Sequence, residues 1–207
     1  MESEEGPNRV GGAGALWAGL LVGGASRRMG EPKSLLPVAG VPLAERALAA
    51  VRSCATGIAL LGAGEVPATL QALPRLGDAP EVGGPMAGVL AALRHRPAST
   101  WLVVACDQGW VSPEAVEWLL AQRAPGLAAV LPRRSPGRVE PFFALYEPPA
   151  LALVERLVAD GISSLQRLAG LPGVVSPWPP PQLRSAWRDA DTPADLARLG
   201  GSSGWDT

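Results

Sequence analysis

Residues 20–34, LLVGGASRRMGEPKS, place a glycine pair, two arginines and a lysine directly after a short apolar run. Glycine at a strand end lets a backbone or ligand approach closely. Consecutive backbone N–H groups beside Arg27, Arg28 and Lys33 then make a concave positive surface suited to a polyphosphate. Two familiar phosphate loops are excluded. The pattern G-x-x-x-x-G-K-[ST] fails because five residues separate Gly24 from Gly30 and Glu31-Pro32 precede Lys33, and G-x-G-x-x-G fails because Gly23 and Gly24 are adjacent. A strand, a glycine turn and a solvated basic loop is the competing description of the same residues.

Two later stretches carry carboxylates with few other duties. In WLVVACD an apolar run ends on Asp107, where an aspartate is either a hard oxygen ligand for a cation or a turn former. In RDADTPADL, Thr192 and Asp195 fit a capping box with Pro193 at the first helical position, which leaves Asp189 and Asp191 unexplained by capping. Cys54 and Cys106 are the only cysteines and His95 is the only histidine, so a metal would have to use oxygen ligands. His95 lies in an amphipathic run and reads as a surface residue.

The elements that must position these groups alternate between strands and helices, the signature of a mostly parallel sheet with helices on both faces. Strands are expected at Leu16–Val22, Ile58–Leu61, Trp101–Cys106, Leu127–Leu131, Val139–Tyr146 and Val174–Trp178. Helices are expected at Pro42–Arg52, Met86–Arg96, Pro113–Arg123, Ala150–Asp160 and Ile162–Leu168, with a weak one near Pro67–Ala72. Ser112-Pro113 supplies an N-cap and a first-turn proline. The stretch Pro177–Pro181 is too rich in proline for regular structure. Ligands of such sheets sit beyond the carboxyl ends of the strands, which is where the basic loop and Asp107 fall.

Composition bounds the class. A chain of 207 residues, 47% hydrophobic, can bury one substantial core, so a single α/β domain over residues 15–199 is expected, with disordered tails at 1–14 and 200–207. The net charge of -1 provides no global field for nucleic acid. No apolar stretch reaches the roughly 18 residues of a membrane span, and the acidic start MESEEG lacks the basic region of a signal peptide, so the expected location is cytoplasmic. Trp110 and Trp187 are candidates for a partner surface, with core packing the default for tryptophan.

Taken in order, the basic glycine loop followed by LLPVAGVPL, GDAPEVGGPMAGVLAAL, VVACDQGW, EPFFALY and DADTPADL resemble the molybdenum cofactor guanylyltransferases of the nucleotidyltransferase superfamily. The resemblance runs from about Trp17 to Leu199. It implies a Rossmann-like domain that transfers GMP from GTP to the terminal phosphate of molybdopterin with Mg²⁺. Leu21, Gly23 and Gly24 match the backbone that cradles the nucleotide, Arg27, Arg28 and Lys33 the triphosphate contacts, and Asp78 an acidic nucleotide contact. Arg28, Lys33 and Asp107 are the implied catalytic residues, with Asp107 as the magnesium ligand and Asp191 as a second one. GTP and molybdopterin are the implied partners, together with other cofactor-assembly proteins or apo-molybdoenzymes. The DQ step after Asp107 and the Asp189/Asp191 pair also occur in the related molybdopterin cytidylyltransferases, so CTP is the alternative donor. A nucleotide-binding adaptor without turnover is a third reading, against which Lys33 and Asp107 argue.

Overall fold

The structure is a computed structural model that describes residues 14–23 and 31–201. Gly24, Arg27 and Arg28 lie outside the described residues, as do 1–13 and 202–207 of the expected tails.

In chain order the strands are β1 (Leu16–Leu21), β2 (Pro37–Val38), β3 (Val41–Pro42), β4 (Gly57–Leu61), β5 (Arg75–Leu76), β6 (Thr100–Ala105), β7 (Ala129–Val130), β8 (Arg133–Ser135), β9 (Arg138–Val139), β10 (Phe143–Tyr146) and β11 (Val174–Val175). The α-helices are α1 (Leu43–Arg52), α2 (Pro85–His95), α3 (Pro113–Leu120), α4 (Ala150–Ala159) and α5 (Pro193–Gly201). Seven strands form one sheet in the order β11-β7-β10-β6-β1-β4-β5. β10 runs antiparallel to both neighbours, while the other pairings are parallel. This is the mostly parallel α/β architecture expected from the alternation of elements.

The central strands read as continuous apolar runs because helices cover both faces. On one face Leu20, Leu102 and Val104 pack with Leu48 and Val51 of α1 and Val116 and Leu119 of α3. On the other, Leu61, Trp101 and Val103 pack with Val89, Leu90 and Leu93 of α2 and Val154 and Leu157 of α4. Each fully buried leucine or valine contributes roughly 1.5–3 kcal/mol. Trp187 belongs to this interior, not to a partner surface: it is 1% exposed, stacks on Phe143 at 4.8 Å and donates from Nε1 to the Phe143 carbonyl at 2.9 Å. Trp110 is half-buried and His95 is exposed.

Several elements differ from the expectation for physical reasons. Pro141 has no N–H to give a central ladder, so the run Val139–Tyr146 divides into β9 and β10. The helix expected at Ile162–Leu168 is only a 3-10 turn, Leu165–Leu168, preceded by Gly161 at φ +73° and two serines. The last strand stops at Val175, before Pro177. α5 includes Gly200 and Gly201, two residues of the expected C-terminal tail.

Candidate functional site

Beyond the carboxyl ends of β1 and β6 lies a cavity of about 410 Å³, lined in part by Leu21, Gly23, Lys33, Asp107, Arg134 and Glu140. Its geometry is set by three local devices. The first holds Lys33. The residue opens a 3-10 turn, Lys33–Leu35, in which the buried Ser34 hydroxyl donates to the Glu65 carbonyl at 2.5 Å. The turn runs into the β2–β3 hairpin, whose Val38 joins Leu36, Leu43, Ala190 and Leu199 in a small separate core. That core clamps the lysine turn against the start of α5.

The second device is the end of β6. Cys106 N–H donates to the Leu21 carbonyl at 3.1 Å, and the Asp107 carbonyl accepts from Ala190 N–H at 2.8 Å. Ala190 is thereby fixed between Asp189 and Asp191, and the two carboxylates of the DAD stretch sit beside Asp107. Lys33 Nζ donates to Asp107 Oδ2 at 2.8 Å and to Asp191 Oδ1 at 2.5 Å. Burial pulls the Lys33 pKa down, but the hydrogen bonds and charges of the two aspartates outweigh it and hold the ammonium above the ordinary lysine range. Cys106 is no nucleophile here, because burial and the neighbouring Asp107 charge push its thiol up to about 12.

The third device is the β8–β9 hairpin. Arg134 Nη1 donates to Asp189 Oδ2 at 2.6 Å and to Glu140 Oε2 at 3.2 Å. Glu140 is 4% exposed and also accepts from Phe142 N–H at 3.1 Å. Burial, together with the Asp189 charge, pushes its carboxyl up to about 7. Burial likewise raises Asp189, helped by the charges of Asp107 and Asp191 and opposed by Arg134.

The structure therefore brings Leu21, Gly23, Lys33, Asp107 and Asp191 together. Asp78 stands apart from them, exposed on a recess of about 120 Å³ that shares Leu21, Gly23 and Pro85 with the main cavity. The capping box forms as expected, with Asp195 N–H donating to Thr192 Oγ1 at 3.2 Å and Thr192 Oγ1 donating to Asp195 Oδ2 at 2.7 Å. Gln108, the second residue of the DQ step, is fully buried. Its Oε1 accepts from Ala105 N–H at 3.2 Å and it lines neither cavity. Arg134 and Glu140 were not legible as site residues, since Asp189, which ties Arg134 to the site, lies 55 residues from it. The only sequence signal was EPFFALY itself, in which a glutamate precedes a proline at a strand start.

Residues 18–172 match the MobA-like NTP transferase domain. The chain belongs to that family. As a MobA-like NTP transferase it is a nucleotidyltransferase, and its relatives carry matching names. It is 34% identical over 184 residues to the molybdenum cofactor guanylyltransferase of Rhodobacter capsulatus, covering 86% of this chain and 92% of that protein. It is also 34% identical over 150 residues, 71% of this chain, to the molybdenum cofactor biosynthesis bifunctional protein of Synechocystis. The match spans 43% of that longer protein. The crystal structure of molybdopterin-guanine dinucleotide biosynthesis protein A from Archaeoglobus fulgidus superposes with a TM-score of 0.70 at 27% identity, covering 89% of this chain and 96% of that one. Among the described residues no helix is long and apolar enough to cross a membrane.

Proposed function

We propose that the protein transfers GMP from GTP to the terminal phosphate of molybdopterin, releasing pyrophosphate and forming molybdopterin guanine dinucleotide. The observation that carries this reading is the convergence of Asp107 and Asp191 on Lys33 at the strand ends of a MobA-like chain. In the reaction a non-bridging oxygen of the acceptor phosphate forms a bond to the α-phosphorus. The bond from that phosphorus to the α–β bridging oxygen breaks, and its electron pair leaves with pyrophosphate. No base is required, because a phosphate monoester is ionised near neutral pH. Two anions must meet, so positive charge has to be supplied at the meeting point. Lys33 supplies it as a fixed point charge toward the leaving group.

Asp107 and Asp191 fit Mg²⁺ by their chemistry. They are hard oxygen donors that both accept from Lys33 Nζ, and because Mg²⁺ takes one or two carboxylates together with substrate phosphates, an ion held by them would release the ammonium toward the triphosphate. Among the described residues no group of three or more His, Cys, Asp or Glu side chains is placed to hold a metal ion. When bound, the ion neutralises charge developing on the phosphates. Asp78, in the smaller recess, offers a carboxylate to the adjacent N1–H and 2-amino donors of guanine, a pair that cytosine does not have. Gln108 of the DQ step is fully buried and lines neither cavity.

The test supplies purified protein with Mg²⁺, molybdopterin and either GTP or CTP, and compares kcat/KM from pyrophosphate release with direct detection of the dinucleotide. A preference for GTP by orders of magnitude is expected, because the wrong base leaves buried polar groups unpaired. Equal values, or a preference for CTP, overturn the donor assignment. Absence of any transfer returns the adaptor reading.

A further inference from the structure

The cavity holds a second cationic centre that the donor side does not use. In the β8–β9 hairpin Arg133 lies opposite Val139 and Ser135 opposite Arg138, so Arg134 is an extra residue on its strand. Such a bulge re-aims one side chain out of the normal alternation. Here it delivers Arg134 to the cavity wall, between Asp189 and Glu140. Arg138 lines the same wall, is exposed, and makes no ion pair among the described residues. Gln166 fixes the base of the hairpin through both backbone groups of Val139, accepting from its N–H at 3.0 Å and donating to its carbonyl at 2.5 Å. Beside them Phe142, packed in part against the core, lines the cavity half-buried.

The sheet order places the two cationic centres on either side of Asp107. β6, which ends at Ala105 two residues before Asp107, has β1 on one side and β10 and β7 on the other; the chain leads from β1 to the Lys33 turn and from β7 through the hairpin to β10. In-line displacement needs its attacking and leaving oxygens on opposite sides of the α-phosphorus. With Lys33 on the leaving side, the hairpin is on the side from which the acceptor comes. An arginine fork matches a phosphate better than a point charge does, and two of them on one wall fit a dianion.

The geometry points to the β8–β9 hairpin as the acceptor subsite: Arg134 and Arg138 take a phosphomonoester, and Phe142 takes the planar heteroaromatic group that carries it. This assignment rests on the nucleotidyl-transfer reading. Burial holds the Glu140 carboxyl above the ordinary carboxylate range, up to about 7, which weakens its hold on Arg134.

The test uses the full chain and a fluorescent probe, 6-hydroxymethylpterin monophosphate, with the unphosphorylated pterin as control and GTP binding measured separately by calorimetry. Arg138→Ala is the informative variant, since the residue is exposed and its loss leaves no buried partner. Losing one charge-assisted contact should weaken monophosphate binding about tenfold, and Arg138→Glu should weaken it further. Arg134→Lys, which keeps the charge and loses the fork, should fall between wild type and Arg138→Ala. Binding of the unphosphorylated pterin and of GTP should stay unchanged. Unchanged monophosphate affinity in Arg138→Ala overturns the subsite. So does an equal loss for the unphosphorylated pterin, or a parallel loss of GTP binding that would put the arginine on the donor side. Transfer assays separate the two readings. Dinucleotide formation by Arg138→Ala at the wild-type KM for molybdopterin removes the subsite and keeps the reaction. Arginine-dependent pterin phosphate binding by a wild-type protein that makes no dinucleotide keeps the subsite and removes the reaction.

Discussion

Lys33 is the residue on which two parts of the chain meet, since its partners lie 74 and 158 positions away. Both carboxylates are spent on the ammonium in this structure, and Mg²⁺ taking them would turn its charge toward the triphosphate from a position already beside the site. Lys33→Ala should therefore lower kcat/KM for pyrophosphate release by roughly 10² to 10³. A rate within a factor of three of wild type would exclude the lysine from the chemistry. Asp107→Asn keeps the shape of the strand end and removes the negative charge that Mg²⁺ needs. It should abolish most turnover while leaving the thermal midpoint close to wild type, and activity that survives at normal Mg²⁺ concentration would reassign the metal to Asp191. Glu140 makes a separate prediction about pH. Its folded pKa of about 7 stands above the ordinary 4.5, so the folded state binds the proton more tightly than the unfolded chain. Stability contributed by this group is then fully present below about pH 4.5 and is lost as pH rises toward 7. The loss amounts to at most about 3–4 kcal/mol. Denaturant titrations between pH 5 and 8 should show that decline in wild type and a flatter profile in Glu140→Gln; identical slopes would contradict it.

At the scale of elements, what the sequence showed and what it hid have physical explanations. The helices were legible because their apolar faces repeat and their starts are signed: Ser112 caps α3 by accepting from Ala115 N–H at 3.3 Å, and Pro85 and Pro113 occupy first-turn positions. The strands that end on Leu21 and Ala105 were legible to within one residue at that end, since buried parallel strands read as unbroken apolar runs. The hairpins were not. β2, β3, β8 and β9 have two or three residues each and no alternation, and Arg134 breaks what pattern there is by bulging. That is why the acceptor wall escaped notice while the Lys33 loop did not. One local signal, the glycine pair before Pro85, has a firm structural reason. Gly84 has φ +71° and ψ -164°, a region that only glycine occupies readily, and it lines the smaller recess just before Pro85, which both cavities share. Gly84→Ala should cost about 1–3 kcal/mol. For a chain of this size that is a fall of several degrees in thermal midpoint, checked by calorimetry. An unchanged midpoint would mean that the turn can adopt another conformation at no cost.

The whole molecule separates function from stability along the strand direction. At the carboxyl ends of β1 and β6, charged groups face a cavity and their pairs are half-exposed: Lys33 is 23% and Asp191 54% exposed. At the opposite end of β6 the polar groups satisfy one another instead. Arg123 donates from Nε to Glu147 Oε1 at 2.6 Å and from Nη2 to Glu147 Oε2 at 3.2 Å, while the buried Thr100 hydroxyl donates to Glu147 Oε2 at 2.6 Å and accepts from Arg123 Nη2 at 2.9 Å. This closed triangle joins the start of β6, the segment after α3 and the segment after β10. A bidentate arginine whose acceptors are a carboxylate and the hydroxyl bound to it holds geometry. Arg123→Ala would strand Glu147, whose side chain is only 12% exposed, and should cost about 2–4 kcal/mol, somewhat less than a fully buried pair. The same variant should keep kcat/KM within a factor of two at temperatures where it remains folded, because the triangle is separated from Asp107 by the length of β6. Arg123→Ala combined with Glu147→Gln should recover part of the lost stability, since removing the stranded charge removes most of the penalty. A loss of turnover in folded Arg123→Ala would show that the two ends of the sheet are coupled, and the division of labour along β6 would have to be abandoned.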